Sequence, residues 1–186
     1  MSLVVQKYGG TSLGNAERLQ NVAKIISDTL EQNRVIVVVS AMSSYTKAEG
    51  TTSRLLEAGD LAISGGPFFR VLDLVEQSHF KALEDAISDT VIMEEVKEYI
   101  HEELRSLKAF LEAIHVINEI SPRSQDLIIG TGERLSARLL SGVLKGYGID
   151  SAYTDLSQSV DENVSATCDF IGMSKVFPEA DVREAE

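Results

Sequence analysis

Apolar positions along this chain follow two rhythms. Residues 3–8, "LVVQKY", and residues 34–40, "RVIVVVS", are short runs rich in β-branched side chains, the mark of strands. The second run is continuous rather than alternating, which predicts a strand buried on both faces. Between them, "AERLQNVAKIISDTLEQN" places Leu19, Val22, Ala23, Ile26 and Leu30 at helical spacing, with Asn15 as N-cap. Strand, helix and strand in this order form a βαβ unit, which implies a parallel pair joined by a right-handed crossover.

The chain turns polar after Ser40, in "SAMSSYTKAEGTTSR", and this loop should run into a helix from about Ser53. "SGGP" at 64–67 interrupts, and a further helix is expected from Phe68 to Ile87. Met93, Val96, Ile100, Leu104, Leu107, Leu111 and Ile114 then recur at intervals of three and four. That is a long helix packed beside a neighbour; about three heptads make a coiled coil a poorer reading. Ser121 and Pro122 form an N-cap and first helical position. The helix they open should weaken at Gly130–Gly132 and end at Gly146 and Gly148. "IDSAYTDL" reads as the next strand, and residues 157–186 are polar and weakly patterned. The pattern as a whole predicts an α/β fold with a mostly parallel sheet and helices on both faces.

Composition narrows the function. The length of 186 residues suits one domain. Seventeen basic against 29 acidic residues give a net charge of −12, which disfavours nucleic acid and anionic membranes as partners. An anionic substrate would need a local positive site. Cys168 is the only cysteine, so no intramolecular disulfide can form, as suits a reducing compartment. No basic-then-apolar leader is visible, and no apolar run reaches the ~18 residues of a membrane span. The expectation is a soluble cytoplasmic protein.

The stretch "QKYGGTSLGN", Gln6 to Asn15, raises the question of chemistry. Where a first strand turns into a first helix, bare glycines expose backbone N–H groups and the helix dipole favours anions. Thr11 and Ser12 add hydroxyls, and Lys7 adds a charge. The set suits a polyphosphate but is neither a Walker A loop nor a dinucleotide-binding fingerprint. The plain alternative is a glycine turn with Lys7 on the surface. His79, His101 and His115 lie in helical patterns and form neither a metal triad nor a Ser–His–Asp set. Arg123 and Arg134 read as surface pairs, and the acids of "MEEVKEYIHEEL" as a solvated helix face.

Three segments carry a family resemblance. "KYGGTSLGNAERLQNVAKII" resembles the opening signature of aspartate kinases in the amino-acid-kinase family. "VVVSAMSSYTKAEGTTSRLL" is similar to that family's second segment in its fungal form, and "RSQDLIIGTGERLSARLL" resembles the third. They occur in order and at suitable intervals. The resemblance implies a three-layer αβα sandwich with a mostly parallel sheet, of the carbamate-kinase-like kind. It implies ATP with Mg²⁺ as cofactor and L-aspartate as substrate, phosphorylated on its β-carboxylate in the first step toward lysine, threonine, methionine and isoleucine. Carried over residue by residue, it makes Lys7 the catalytic cation and assigns Lys7, Gly9, Gly10, Thr11 and Ser12 to the phosphates. It assigns Ser40, Thr46 and Glu133 to aspartate, with Thr52 as the alternative to Thr46, because an insertion permits both alignments. No protein ligand to a metal is implied.

The resemblance fades after about Ala166. A later Gly-Arg-Gly-x-Ser/Thr-Asp motif, the adenosine-binding segment and the ACT regulatory domains of the family have no counterpart here. Residues 1–166 therefore read as the N-terminal part of the catalytic domain, and 167–186 as a divergent tail. Two other readings stay open: a catalytically silent fragment that binds a partner such as a full-length kinase, and a same-fold kinase for another acid. An incomplete sheet would leave an unpaired edge and uncovered apolar surface, so the expectation is self-association, including a homo-oligomer, or poor solubility.

Overall fold

The computed structural model describes residues 2–155. Strands β1 (Ser2–Tyr8) and β2 (Asn33–Val39) pair in parallel, with Ser2 opposite Asn33 and Lys7 opposite Val38. Helix α1 (Ala16–Leu30) makes the crossover between them. Helices α2 (Thr51–Ser64), α3 (Phe68–Ala86), α4 (Thr90–Ile117) and α5 (Pro122–Gly146) follow, with short 3₁₀ turns at Gly10–Leu13 and Lys47–Glu49.

The helix ends follow from their caps. The Asn15 side chain accepts the Arg18 amide at 3.0 Å, and Asp89 Oδ1 accepts the amides of Val91 and Ile92. Ser121 Oγ accepts the Ser124 amide, with Pro122 at the first helical position as predicted. Gly65 closes α2 in the left-handed region at φ 74°, where a side chain would be strained.

Helix α5 is the centre of the packing. It touches α1, α2, α3, α4 and β2, and its residues from Leu139 to Leu144 are all buried. It runs unbroken through Gly130–Gly132, contrary to the expected weak point. The reason is spatial: a Cβ on Gly132 would stand 2.8 Å from Ala41 Cβ and 3.1 Å from Thr51 Cγ2, so glycine lets the helix lie close against its neighbours. Leu55, Val75, Leu83, Ile100, Leu111, Leu135 and Leu139 fill the interior between the helices.

Other expectations need correction. Helix α2 starts at Thr51, two residues before the expected Ser53, because the Thr51 amide is held by the Met42 carbonyl at 3.0 Å. β2 is buried only at its C-terminal end; Ile36 is 39% exposed and Val5 of β1 is 59% exposed on the face that no described helix covers. Residues 149–155 form no strand. They run along a groove beside β2 instead of pairing with it. The expected domain boundary at 166, the tail 167–186 and Cys168 lie outside the described residues. Among the described residues, no helix is long and apolar enough to cross a membrane.

Candidate active site

The segment Ser40–Ser43, which leaves the end of β2, organises the site. Its four amides go in turn to four partners: Ser40 to the Tyr8 carbonyl at 3.1 Å, and Ala41 to Glu133 Oε1 at 3.4 Å. Met42 donates to Ser136 Oγ at 2.7 Å, and Ser43 to the Gly10 carbonyl at 3.0 Å. One strap of four residues thus ties β1, α5 and the glycine turn together. Residues far apart in sequence meet because this strap passes between them.

The glycine turn follows β1 directly. Gly9 caps the 3₁₀ turn, and the Ser12 amide returns to the Gly9 carbonyl at 2.9 Å. The amides of Gly10 and Thr11 precede that bond, at the end of the turn where donors remain available. The glycines serve different purposes. A Cβ on Gly10 would collide with the Ala41 carbonyl oxygen, and one on Gly14 with that of Ser43. Gly9 has open space around it. Lys7 is exposed at the penultimate position of β1.

Glu133 stands at the opposite wall. Burial drives its carboxyl above the usual carboxylate range, opposed by the hydrogen bond from Ala41 and by the Arg134 charge. Its Oε2 is buried and has no hydrogen-bond partner among the described residues. A buried carboxylate oxygen is costly to leave unpaired unless it takes up a proton or a donor group meets it. Arg134 turns away, pairing with Glu103 at 3.0 Å and donating to Thr131 Oγ1 at 3.1 Å.

Of the residues singled out from sequence, Gly9, Gly10, Thr11, Ser12, Ser40 and Glu133 belong to the turn and strap or bond directly to them, whereas Lys7 lies exposed in β1, two residues before Gly9. Thr46 caps the short Lys47–Glu49 turn on an exposed loop, with its backbone engaged by Ser44 and Glu49. Thr52 lies in the first turn of α2, next to the Thr51 amide that grips the strap. His79 is fully buried in α3, His101 pairs with Glu76, and His115 bonds the Ala62 carbonyl. Among the described residues no group of three His, Cys, Asp or Glu is placed to hold a metal ion.

Two residues were assigned no role from sequence. Arg18 Nη1 donates to the Thr11 carbonyl at 2.8 Å, and its guanidinium lies over the Tyr45 ring. Ser136 is fully buried one helical turn beyond Glu133. Its spacing of three from Glu133 is the signal that placed it on the same face.

A family profile described as the amino acid kinase family matches residues 2–175. The chain is 42% identical over 161 residues to an aspartokinase of Schizosaccharomyces pombe, covering 86% of this chain and 31% of that protein. It is 38% identical over 159 residues to an aspartokinase of Candida albicans, covering 84% and 28%. In structure it matches E. coli aspartokinase III in complex with aspartate and ADP, with a TM-score of 0.66 at 24% identity, over 84% of this chain and 31% of that one. The structural likeness establishes a shared α/β fold. The chain spans about a third of the length of these relatives.

Proposed function

The chain belongs to the amino acid kinase family, and on that premise we propose that it carries the phosphate cradle and part of the amino-acid site of an aspartate kinase. The reaction is transfer of the γ-phosphoryl group of ATP to the β-carboxylate of L-aspartate. A carboxylate oxygen forms the new bond to phosphorus, the bond to the bridging oxygen breaks, and 4-phospho-L-aspartate and ADP result. The observation that carries this reading is the buried Glu133 Oε2, without a hydrogen-bond partner among the described residues, beside the strap that holds the glycine turn. An α-ammonium group is the ligand that such an oxygen lacks. The E. coli protein of the same fold is described as binding aspartate and ADP.

The acceptor needs no general base, because a carboxyl of pKa ~3.9 is ionised near neutral pH. Phosphoryl transfer is then mostly positioning and charge stabilisation. Lys7 and the amides of Gly9, Gly10, Thr11 and Ser12 would receive the phosphates, with the Thr11 and Ser12 hydroxyls as further donors. Ser40 and Thr46, or Thr52 in its place, would border the amino acid with Glu133. Mg²⁺ would accompany the nucleotide and neutralise phosphate charge, held chiefly by the phosphates themselves. The same reading places the protein in the cytoplasm, in the biosynthesis of aspartate-derived amino acids, with residues 1–166 as catalytic-domain sequence and 167–186 as a divergent tail.

Steady-state kinetics on a kinase of full family length bearing this segment tests the reading. Lys7→Ala should lower kcat far more than it raises KM for aspartate, because charge shifts onto phosphoryl and bridging oxygens in the transition state. Glu133→Ala should chiefly raise KM for aspartate. Near-normal kcat in Lys7→Ala would reduce the stretch to an ordinary turn.

A further inference from the structure

We propose that Ser136 is a positioning residue, which sets the phosphate and amino-acid halves of the site in register by holding the Met42 amide. The inference rests on the functional reading of the glycine turn and Glu133 given above, and it concerns a residue that touches neither ligand.

The Met42 peptide is gripped on both sides. Its N–H goes to Ser136 Oγ at 2.7 Å, and its carbonyl accepts the Thr51 amide at 3.0 Å. Immediately before it, the Ala41 amide reaches Glu133 at 3.4 Å; immediately after it, the Ser43 amide holds the Gly10 carbonyl at 3.0 Å. Met42 is therefore the fixed point between the acid that meets the substrate ammonium and the turn that meets phosphate. Glu133 cannot fill this role alone. Its bond to the strap is the longest of the four, and its carboxylate has to serve the ligand as well. Ser136 is neutral, fully buried and committed to the strap.

The residue type supports this assignment. Serine inside a helix is a poorer helix former than alanine. At position 136 its hydroxyl brings an acceptor to an amide 94 residues away that is otherwise buried among α5 and α2. Gly132, one turn earlier, opens the space in which the strap can come within reach of that hydroxyl.

The test uses the 186-residue chain. Ser136→Ala is compared with Ser141→Ala, which truncates another buried serine of the same helix, one that contacts Ser151 rather than the strap. In Ser136→Ala the Met42 amide proton resonance should move upfield, and hydrogen exchange at Met42 and Ser43 should speed up about tenfold, the loss of one buried hydrogen bond. Ser141→Ala should leave both amides at the wild-type rate. Unchanged exchange in Ser136→Ala, or equal acceleration in Ser141→Ala, overturns the proposal, since the second result would mean a general loosening of α5. Titration with inorganic tripolyphosphate separates this from the functional reading. Severalfold weaker binding in Ser136→Ala alone supports the coupling to the glycine turn. If the wild-type chain does not bind tripolyphosphate, the phosphate reading fails, and the exchange comparison still decides whether Ser136 holds the strap.

Discussion

The guanidinium carbon of Arg18 lies 4.1 Å from the centre of the Tyr45 ring, although that ring is 85% exposed. The same guanidinium donates to the Thr11 carbonyl at 2.8 Å. Arg18 thus bridges the glycine turn and the loop after the strap, and it forms no ion pair among the described residues. An exposed cation–π contact contributes only about 0.5–1 kcal/mol. Tyr45→Ala should therefore change global stability by less than about 1 kcal/mol. Its local effect should be larger: exchange at the amides of 43–49 should rise while that of α4 stays unchanged. A wild-type exchange profile over that loop would show that the stacking does not order it.

His79 makes the acid limb of stability predictable. It is fully buried in α3, with Nδ1 at 2.8 Å from the Val75 carbonyl and Nε2 without a partner among the described residues. Burial lowers its pKa from 6.5 to about 4, offset by the Val75 hydrogen bond and helped by the Arg54 charge. Because the folded pKa is depressed, the unfolded chain binds the proton first as pH falls. The stability His79 allows is present in full above pH 6.5 and is lost as pH falls toward 4, at about 1.4 kcal/mol per pH unit. His79→Leu should lack that component. The difference between the two stability curves should be constant above pH 7 and change between pH 6.5 and 4. Parallel curves throughout would show that His79 ionises freely in the native state.

The glycines of the site should rank by what their Cβ would meet. Gly9→Ala has open space and should be tolerated within about 0.5 kcal/mol. Gly132→Ala gains helix propensity of roughly 1 kcal/mol but crowds Ala41 and Thr51, and overpacking costs about 1–3 kcal/mol. It should be destabilising on balance. Gly10→Ala meets the backbone oxygen of Ala41, which cannot rotate away, and should be the worst of the three. Denaturant midpoints check the order, and an intolerant Gly9 would contradict it.

Much of this fold was legible because local patterns carry it. The β-branched runs at 3–8 and 34–40 mark β1 and β2, and the three-and-four spacing from Met93 to Ile114 marks α4. The pattern misleads where packing decides. Gly130–Gly132 reads as a break, but Gly132 is a close contact, and "IDSAYTDL" has strand composition yet its described residues, 149–155, form no strand. Lys7 stands out as the cation beside the glycine turn, whereas its catalytic role, and Glu133 altogether, come from family resemblance. Ser136 shares a helix face with Glu133 at a spacing of three, but its partner, like that of Arg18, was illegible for a different reason. A hydrogen bond to an amide 94 residues away, or to a carbonyl across a turn, leaves no periodic trace.

Self-association is the remaining expectation, and the strand edges are where it would be sought. Among the described residues β1 and β2 form a two-stranded sheet, so each has one edge without a strand partner. A groove of about 470 Å³ lies along β2, lined by Val35–Val39, by Ile26 and Leu30 of α1, by Leu140 and Leu144 of α5, and by residues 149–154. Val5 and Ile36 add exposed apolar surface on the uncovered face. Unpaired edges of this kind template pairing between chains. The net charge of −12 opposes contact, but salt screens it, with a Debye length near 10 Å at 0.1 M. Association should therefore strengthen as salt rises, the reverse of an interface held by ion pairs. Sedimentation velocity at low and high salt reads this directly, and Ile36→Lys, a charge on the exposed face of β2, should shift the distribution toward monomer. A cooperatively folded monomer at every salt concentration would mean that the strand pair needs no partner.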